Sequence, residues 1–281
     1  LARIPGTAPT KAVALMGHYD TVPGAPGAND DASGVAVMLE TTRALLAGPP
    51  LRNDVILLFT DGEEPAPRFG SSAFVAEHPW AEGIGFLINL EALGSGGPSL
   101  LAEASGPRGW VVDQYAAAAP YPAAFSFVTT TAELIGGSNS DFATFHNRGV
   151  PGIELAYLHG SPIYHTSADA PERMSLRSLQ QQGANTLALV RHAGRLDLDA
   201  PHDDSTNVFF SVAGLFVVRY PTAWALPLAL LTGVALTVAG WRERAWLRIL
   251  QSSGATLVTA ALAAAAALGI WIALAGWRHT M

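Results

Sequence analysis

The chain of 281 residues has no cysteine, and only one of its 16 basic residues, Lys11, is a lysine. The first absence excludes disulfides and thiolate zinc sites and leaves the redox compartment open, so any bound metal must use His, Asp or Glu. A net charge of −7 with no dense basic patch argues against a nucleic-acid partner. No G-x-G-x-x-G or Walker loop follows a strand, and Gly94–Gly97 reads as a turn. There is no internal repeat. Neither an initiator Met nor a signal peptide is present at Leu1, and the chain opens within a strand-like pattern, so a truncated N-terminus is expected.

What is plentiful is apolar side chain, 49% of the residues, and the excess lies beyond about residue 207. Before it, strands and helices alternate. Ala12–Met16, Asp54–Thr60, Gly85–Leu90 and Gly152–Tyr157 read as buried strands, with a further strand at Leu100–Ala104. Ser33–Leu46, Phe69–His78, Trp110–Ala119, Ser140–Asn147 and Leu176–Gly194 read as helices, the first stopped by Gly48-Pro49-Pro50. The pattern predicts an α/β domain over residues 1–200, with a mostly parallel central sheet covered by helices on both faces. Residues 201–221 read as a linker and membrane-proximal segment. Residues 222–240 and 254–276 carry no charge and are long enough for two transmembrane helices. The loop between them, Trp241–Arg248, carries three arginines. By the positive-inside rule it faces the cytoplasm, which puts the domain on the non-cytoplasmic side.

Chemistry concentrates where strands end. His18 and Asp20 follow the first strand, and Asn29-Asp30-Asp31 precedes the helix after it. Glu63-Glu64 follows the second strand, Glu91 the third, and Tyr164-His165 the last. Ligands delivered to the carboxyl edge of an open α/β sheet converge on one crevice. Two divalent ions ~3.5–4 Å apart can share one carboxylate and one water. Asp30 can bridge, His18 and Glu91 can complete one metal, and Glu64 and His165 the other. Glu63, beside a ligand yet free, can act as general base, and Asp20 can orient the His18 imidazole. Ser138, Ser140 and Asp141 read either as a substrate-contact loop or as a helix cap.

The order HxD, NDDASG, GEE, NLEA and YHT, from about Ala12 to Arg195, resembles the co-catalytic zinc aminopeptidases of the bacterial leucyl aminopeptidase and aminopeptidase Y type. INLEALGSGG, SDFATFHNRGVPGIELAY and LFVVRYP are similar to the membrane-anchored branch of endoplasmic-reticulum metallopeptidase and vacuolar membrane protease. The resemblance implies a bridging Asp30 with a cis Asp30–Asp31 peptide, Glu63 as base and Glu64 as ligand. It also implies two zinc ions, peptide substrates and attachment to a lipid bilayer. Glu91 stands where many soluble relatives carry Asp, and Tyr164 matches a tyrosine that polarises the scissile carbonyl in some relatives. The expected activity is removal of N-terminal residues through a metal-bridging water activated by Glu63. Two rivals share the fold: a single-zinc glutaminyl-peptide cyclase, against which an intact His18 argues, and a receptor-like domain, against which the full ligand set argues.

Overall fold

Uninterrupted apolar runs form the centre of one six-stranded sheet in the computed structural model, which describes residues 1–242 apart from 65–67, 135, 138, 201, 204 and 206, together with residue 259. In chain order its elements are β1 (Ala2–Ile4), β2 (Ala12–His18), α1 (Ala32–Leu46), β3 (Val55–Thr60), α2 (Phe69–Glu77), β4 (Ile84–Ala92), β5 (Leu100–Ser105), α3 (Arg108–Ala118), α4 (Ser126–Leu134), α5 (Phe142–His146), β6 (Gly152–Tyr157) and α6 (Leu176–Ala193). The strands lie in the order β1-β3-β2-β4-β6-β5. The inner four are parallel, and β1 and β5 pair antiparallel at the two edges. Every residue of β2, β4 and β6 is buried, as strands covered on both faces require.

Alternation along these strands divides the interior in two. On one face Val13, Leu15, Leu57, Ile88 and Leu90 pack with α1, α3 and α6 through Val37, Met38, Val111 and Leu189. On the other, Ala14, Met16, Ile56, Leu58 and Leu87 pack with Phe74 of α2 and Phe142 and Phe145 of α5. Burying each of those phenylalanines contributes roughly 1.5–3 kcal/mol. Toward the carboxyl ends of the strands this second face turns polar: Met16 stands opposite Asn89, His18 opposite Thr60, and Asn89 opposite Glu154. The apolar part anchors the sheet, and the polar end is where the site is built.

Residues 207–221, expected within a linker, instead form a hairpin of β7 (Asn207–Val212) and β8 (Phe216–Pro221). Phe209 is buried, and its backbone exchanges hydrogen bonds with the Ser126 hydroxyl at 2.6 and 3.0 Å. The first compact unit accordingly runs Leu1–Thr222. The second unit contains α7 (Ala225–Arg242), and Thr222–Trp241 is, among the described residues, the one helix long and apolar enough to cross a membrane. The second expected span, 254–276, and most of the arginine-bearing loop lie outside the described residues.

Candidate metal centre

β2 ends on His18, whose side chain is 1% exposed. Its Nδ1 meets the main-chain oxygen of Asp20 at 3.0 Å. A proton on Nδ1 satisfies that contact and leaves Nε2 with a lone pair. That lone pair points at two carboxylates: Asp30 Oδ1 is 3.2 Å away and Glu91 Oε2 3.8 Å. Three such acceptors converge without repulsion around a bound cation.

Asp30 reaches this position on the turn that opens α1. Asp31 caps the helix by accepting the Gly34 amide at 3.0 Å, and the Asp30–Asp31 peptide is cis, as the resemblance implies. The second oxygen of Asp30, Oδ2, finds no hydrogen bond and lies 3.1 Å from His165 Nε2. Glu64 Oε2 is 3.0 Å from the same nitrogen. His165 sits at φ +58°, in the left-handed region that a non-glycine residue occupies only where its surroundings demand it.

The residues therefore form two groups of three, His18–Asp30–Glu91 and Asp30–Glu64–His165, each with its ligand atoms within 4.8 Å of one another and both sharing Asp30. A tetrahedral zinc with ligands near 2.0–2.1 Å places neighbouring donors about 3.3 Å apart, and the closest contacts here bracket that value. Three protein ligands per ion leave a position open for water or substrate, as a catalytic site needs. The residues fit a pair of zinc ions.

Electrostatics point the same way. Burial, then the Asp30 and Glu154 carboxylates, push Glu64 and Glu91 to about 7. Burial opposes a charge on His18, but its hydrogen bonds to Asp30 and Glu91 outweigh that and raise its pKa far above the ordinary value. Burial and then the charge of Glu91 push Glu63 up to about 9. So many carboxylates in so little water call for compensating positive charge.

Glu63 and Glu64 follow β3 on a turn that Gly62 makes possible at φ +72°. Their amides donate to the two carboxylate oxygens of Asp20, each at 3.2 Å. Asp20 also meets the His18 imidazole, through its main-chain oxygen at 3.0 Å with its carboxylate 3.6 Å away, while that carboxylate clamps the Glu63-Glu64 turn. Tyr164 stacks on His165 with ring centroids 3.7 Å apart. Ser138 lies outside the described residues. Ser140 lines the cavity beside the centre, and its hydroxyl also accepts from the Phe142 amide at 3.2 Å. Asp141 is buried and accepts from Ser71 at 2.5 Å, which turns its carboxylate toward α2 rather than toward the cavity.

That cavity, about 400 Å³, is lined by Glu63, Glu64, Glu91, Tyr164 and His165 and extends to Glu103 and Glu154. A larger groove of about 700 Å³ runs between α1 and α6, away from this chemistry and walled mainly by small and aliphatic side chains. Two residues at the centre, Asp169 and Glu154, carried no role in the sequence reading. Asp169 accepts from the Asn29 amide at 3.0 Å, the Asn29 side chain at 2.6 Å and the Asp30 amide at 3.1 Å. Glu154 accepts from Ser140 and, at 3.1 Å, from Asn89. For Glu154 the available signal was a carboxylate inside an otherwise apolar strand, costly unless it serves a purpose.

Residues 1–190 match the description of peptidase family M28. Mouse endoplasmic reticulum metallopeptidase 1 is 38% identical over 213 residues, 73% of this chain and 23% of that protein. A vacuolar membrane protease of Candida dubliniensis is 31% identical over 218 residues, 77% of this chain and 23% of that protein. This chain thus spans about a quarter of the length of either relative. A solved zinc aminopeptidase from Bacillus subtilis superposes with a TM-score of 0.52 at 26% identity, over 72% of this chain and 51% of that one.

Proposed function

The chain belongs to peptidase family M28, whose members make it a zinc-dependent peptidase, and from that premise we propose a membrane-anchored aminopeptidase with two zinc ions per peptidase domain. The observation that carries this reading is the shared carboxylate. Asp30 faces His18 with one oxygen at 3.2 Å and His165 with the other at 3.1 Å, which suits one residue between two ions. The Bacillus subtilis enzyme, a zinc aminopeptidase, supports cleavage at a peptide N-terminus.

When bound, the zinc ions supply Lewis acidity and lower the pKa of a coordinated water. The residues of the chain supply the rest. His18, Asp30, Glu91, Glu64 and His165 hold the ions. Glu63 lines the cavity beside the ligands yet belongs to neither metal group, so it would carry the proton, taking it from water and returning it to the leaving amine. The Asp20 carboxylate fixes Glu63 through its amide. Burial, then the neighbouring carboxylates, keeps the Tyr164 phenol protonated, so it can donate to the oxygen of the scissile carbonyl.

The exposed apolar helix α7 suits a membrane anchor, and the arginines of 241–248 suit a cytoplasmic loop, with the peptidase domain opposite. The test of the chemistry is Glu63→Gln. Loss of the proton carrier is expected to lower kcat by roughly 10²–10⁴-fold with bound zinc unchanged. A variant that keeps its zinc and full peptidase activity would overturn the assignment.

A further inference from the structure

The β7–β8 hairpin is apolar on the wrong side. Alternate residues of a strand share a face. On the inner face Phe209 is buried, Val217 packs against the main core, and Arg219 reaches Asp113 of α3 at 3.2 Å. The same face carries Ser211, whose hydroxyl accepts from the Ala124 amide at 2.8 Å. On the other face the register sets Val208 opposite Tyr220, Phe210 opposite Val218 and Val212 opposite Phe216. No charged side chain stands among these six. None of them is buried, and Phe210 and Phe216 are 39% and 53% exposed. Phe125 pairs with Phe210 in an antiparallel bridge, and its ring lies 5.8 Å from that of the exposed Phe127. A hairpin face in water carries polar side chains. One built from valine and aromatic residues marks a surface that a partner covers.

Continuity and area both favour lipid over a second protein. The chain leaves β8 at Pro221 and enters the candidate span at Thr222 with no residue between. At 3.3 Å per residue, no part of β8 lies more than about 20 Å along the chain from that point. Six residues on each of two strands, set about 4.8 Å apart, cover roughly 200 Å². Each partner of a stable complex buries about 800 Å², four times as much. Too small to hold a second copy, the patch suffices for a surface that a tether keeps at hand, because such a contact is intramolecular and needs little affinity of its own. Tyr220, the aromatic residue of this face nearest the span, joins an apolar ring to a hydroxyl, as side chains at headgroup depth do.

We propose that this outer face of the hairpin lies in the headgroup region of a lipid bilayer, a second membrane contact beside the span. Ser126 ties Phe209 to α4, and Val128 and Ala132 of α4 wall the cavity beside the metal centre, so docking fixes the setting of that cavity relative to the lipid surface. The proposal rests on the membrane-anchor reading, and its test separates the two. The full chain is reconstituted in phosphatidylcholine vesicles and read with a fluorophore on one introduced cysteine, since it has none of its own. Phe210→Cys and Phe216→Cys sample the outer face from its two strands, and Arg219→Cys samples the inner face. Glu77→Cys is the water-exposed reference on α2, and Leu230→Cys samples the span. Labels at Phe210 and Phe216 are expected to be quenched by nitroxide-bearing lipid and to be several-fold less open to iodide than the label at Glu77. The label at Arg219 is expected to escape the lipid quencher. Iodide quenching at Phe210 and Phe216 equal to that at Glu77 overturns the proposal, and lipid quenching at Leu230 then leaves the anchor standing. Equal lipid quenching at Phe210, Phe216 and Arg219 overturns it too, because no face is selected. Protection from iodide without lipid quenching does the same, since protein then covers the face. Lipid quenching at Phe210 and Phe216 but not at Leu230 supports the docked face and sinks the anchor.

Discussion

Asp169 ligates no metal, yet it fixes the residue on which both metal groups depend. Its three accepted bonds, to the Asn29 amide, the Asn29 side chain and the Asp30 amide, pin the main chain that presents the bridging carboxylate. Asp169→Ala leaves these buried donors unsatisfied, at about 1–3 kcal/mol each. It also frees Asp30 to leave the position between His18 and His165. Zinc affinity is expected to fall roughly 10–100-fold, as when groups that orient ligands are removed elsewhere. Equilibrium dialysis against graded chelator measures it, and unchanged zinc retention would refute the clamp. A second expectation concerns protons. Glu64 and Glu91, raised to about 7, hold protons below that pH, and zinc must displace them. Raising the pH removes the competitor, so affinity climbs with pH through about 7 and protons are released on binding. Chelator-competition titrations giving a flat profile across that range would contradict this. The five candidate ligands stood out because His18, Glu64, Glu91 and His165 come after apolar runs and Asp30 opens the helix that follows the first of those runs. Asp169, Glu103 and Glu154 did not, because their partners are neighbours only in space: Asp169 serves residues 140 positions earlier.

Between side chain and fold, the decisive contact is where β2 meets α1. A Cβ on Gly17 would lie 2.7 Å from Asp31 Oδ2 and 3.3 Å from Met38 Sδ, so strand and helix start approach too closely for any other residue. Asp31 cannot retreat without giving up the helix cap. Gly17→Ala is therefore expected to cost about 1–3 kcal/mol, the range for overpacking a filled interior, and to weaken zinc binding by separating His18 from Asp30. Urea unfolding in the presence of chelator isolates the packing cost from the metal, and a variant as stable as wild type would show the contact to be loose. The same packing explains which elements could be read in advance. Strands buried on both faces appear as largely apolar runs, which made β2, β3, β4 and β6 plain. α4 was missed because Ser126–Leu134 is rich in Phe, Val and Thr, which favour strands, and buries little besides Thr129. The β7–β8 hairpin was hidden for another reason. Its turn uses Ala213 and Gly214, both at positive φ, where Asn-Gly would have announced it, and its apolar strands merged with the hydrophobic tail that follows.

At the scale of the whole molecule, the proposed membrane anchor raises the question of which side of a bilayer the centre faces. Thr222–Trp241 spans about 30 Å at 1.5 Å per residue, the thickness of a hydrocarbon core. Trp224 and Trp241 stand near its two ends, where indoles prefer the interface. The hydroxyls of Thr232 and Thr237 bond to the carbonyls of Leu228 and Gly233 at 2.8 and 2.7 Å, so neither needs water. Leu226, Leu230, Leu231 and Leu236 are all exposed, which suits lipid and not water. On the proposed anchor, the direction of crossing rests on Arg242, Arg244 and Arg248, which are costly to translocate. The absence of cysteine makes the direction measurable, since any thiol introduced is the only one present. Glu77→Cys, exposed on α2, is expected to react with a membrane-impermeant maleimide from the non-cytoplasmic face of sealed membranes. Ala245→Cys, between the arginines, is expected to react only from the cytoplasmic face. Labelling of both from one face would remove the span, and the reverse pattern would place the metal centre in the cytoplasm, where its peptide substrates would have to be sought.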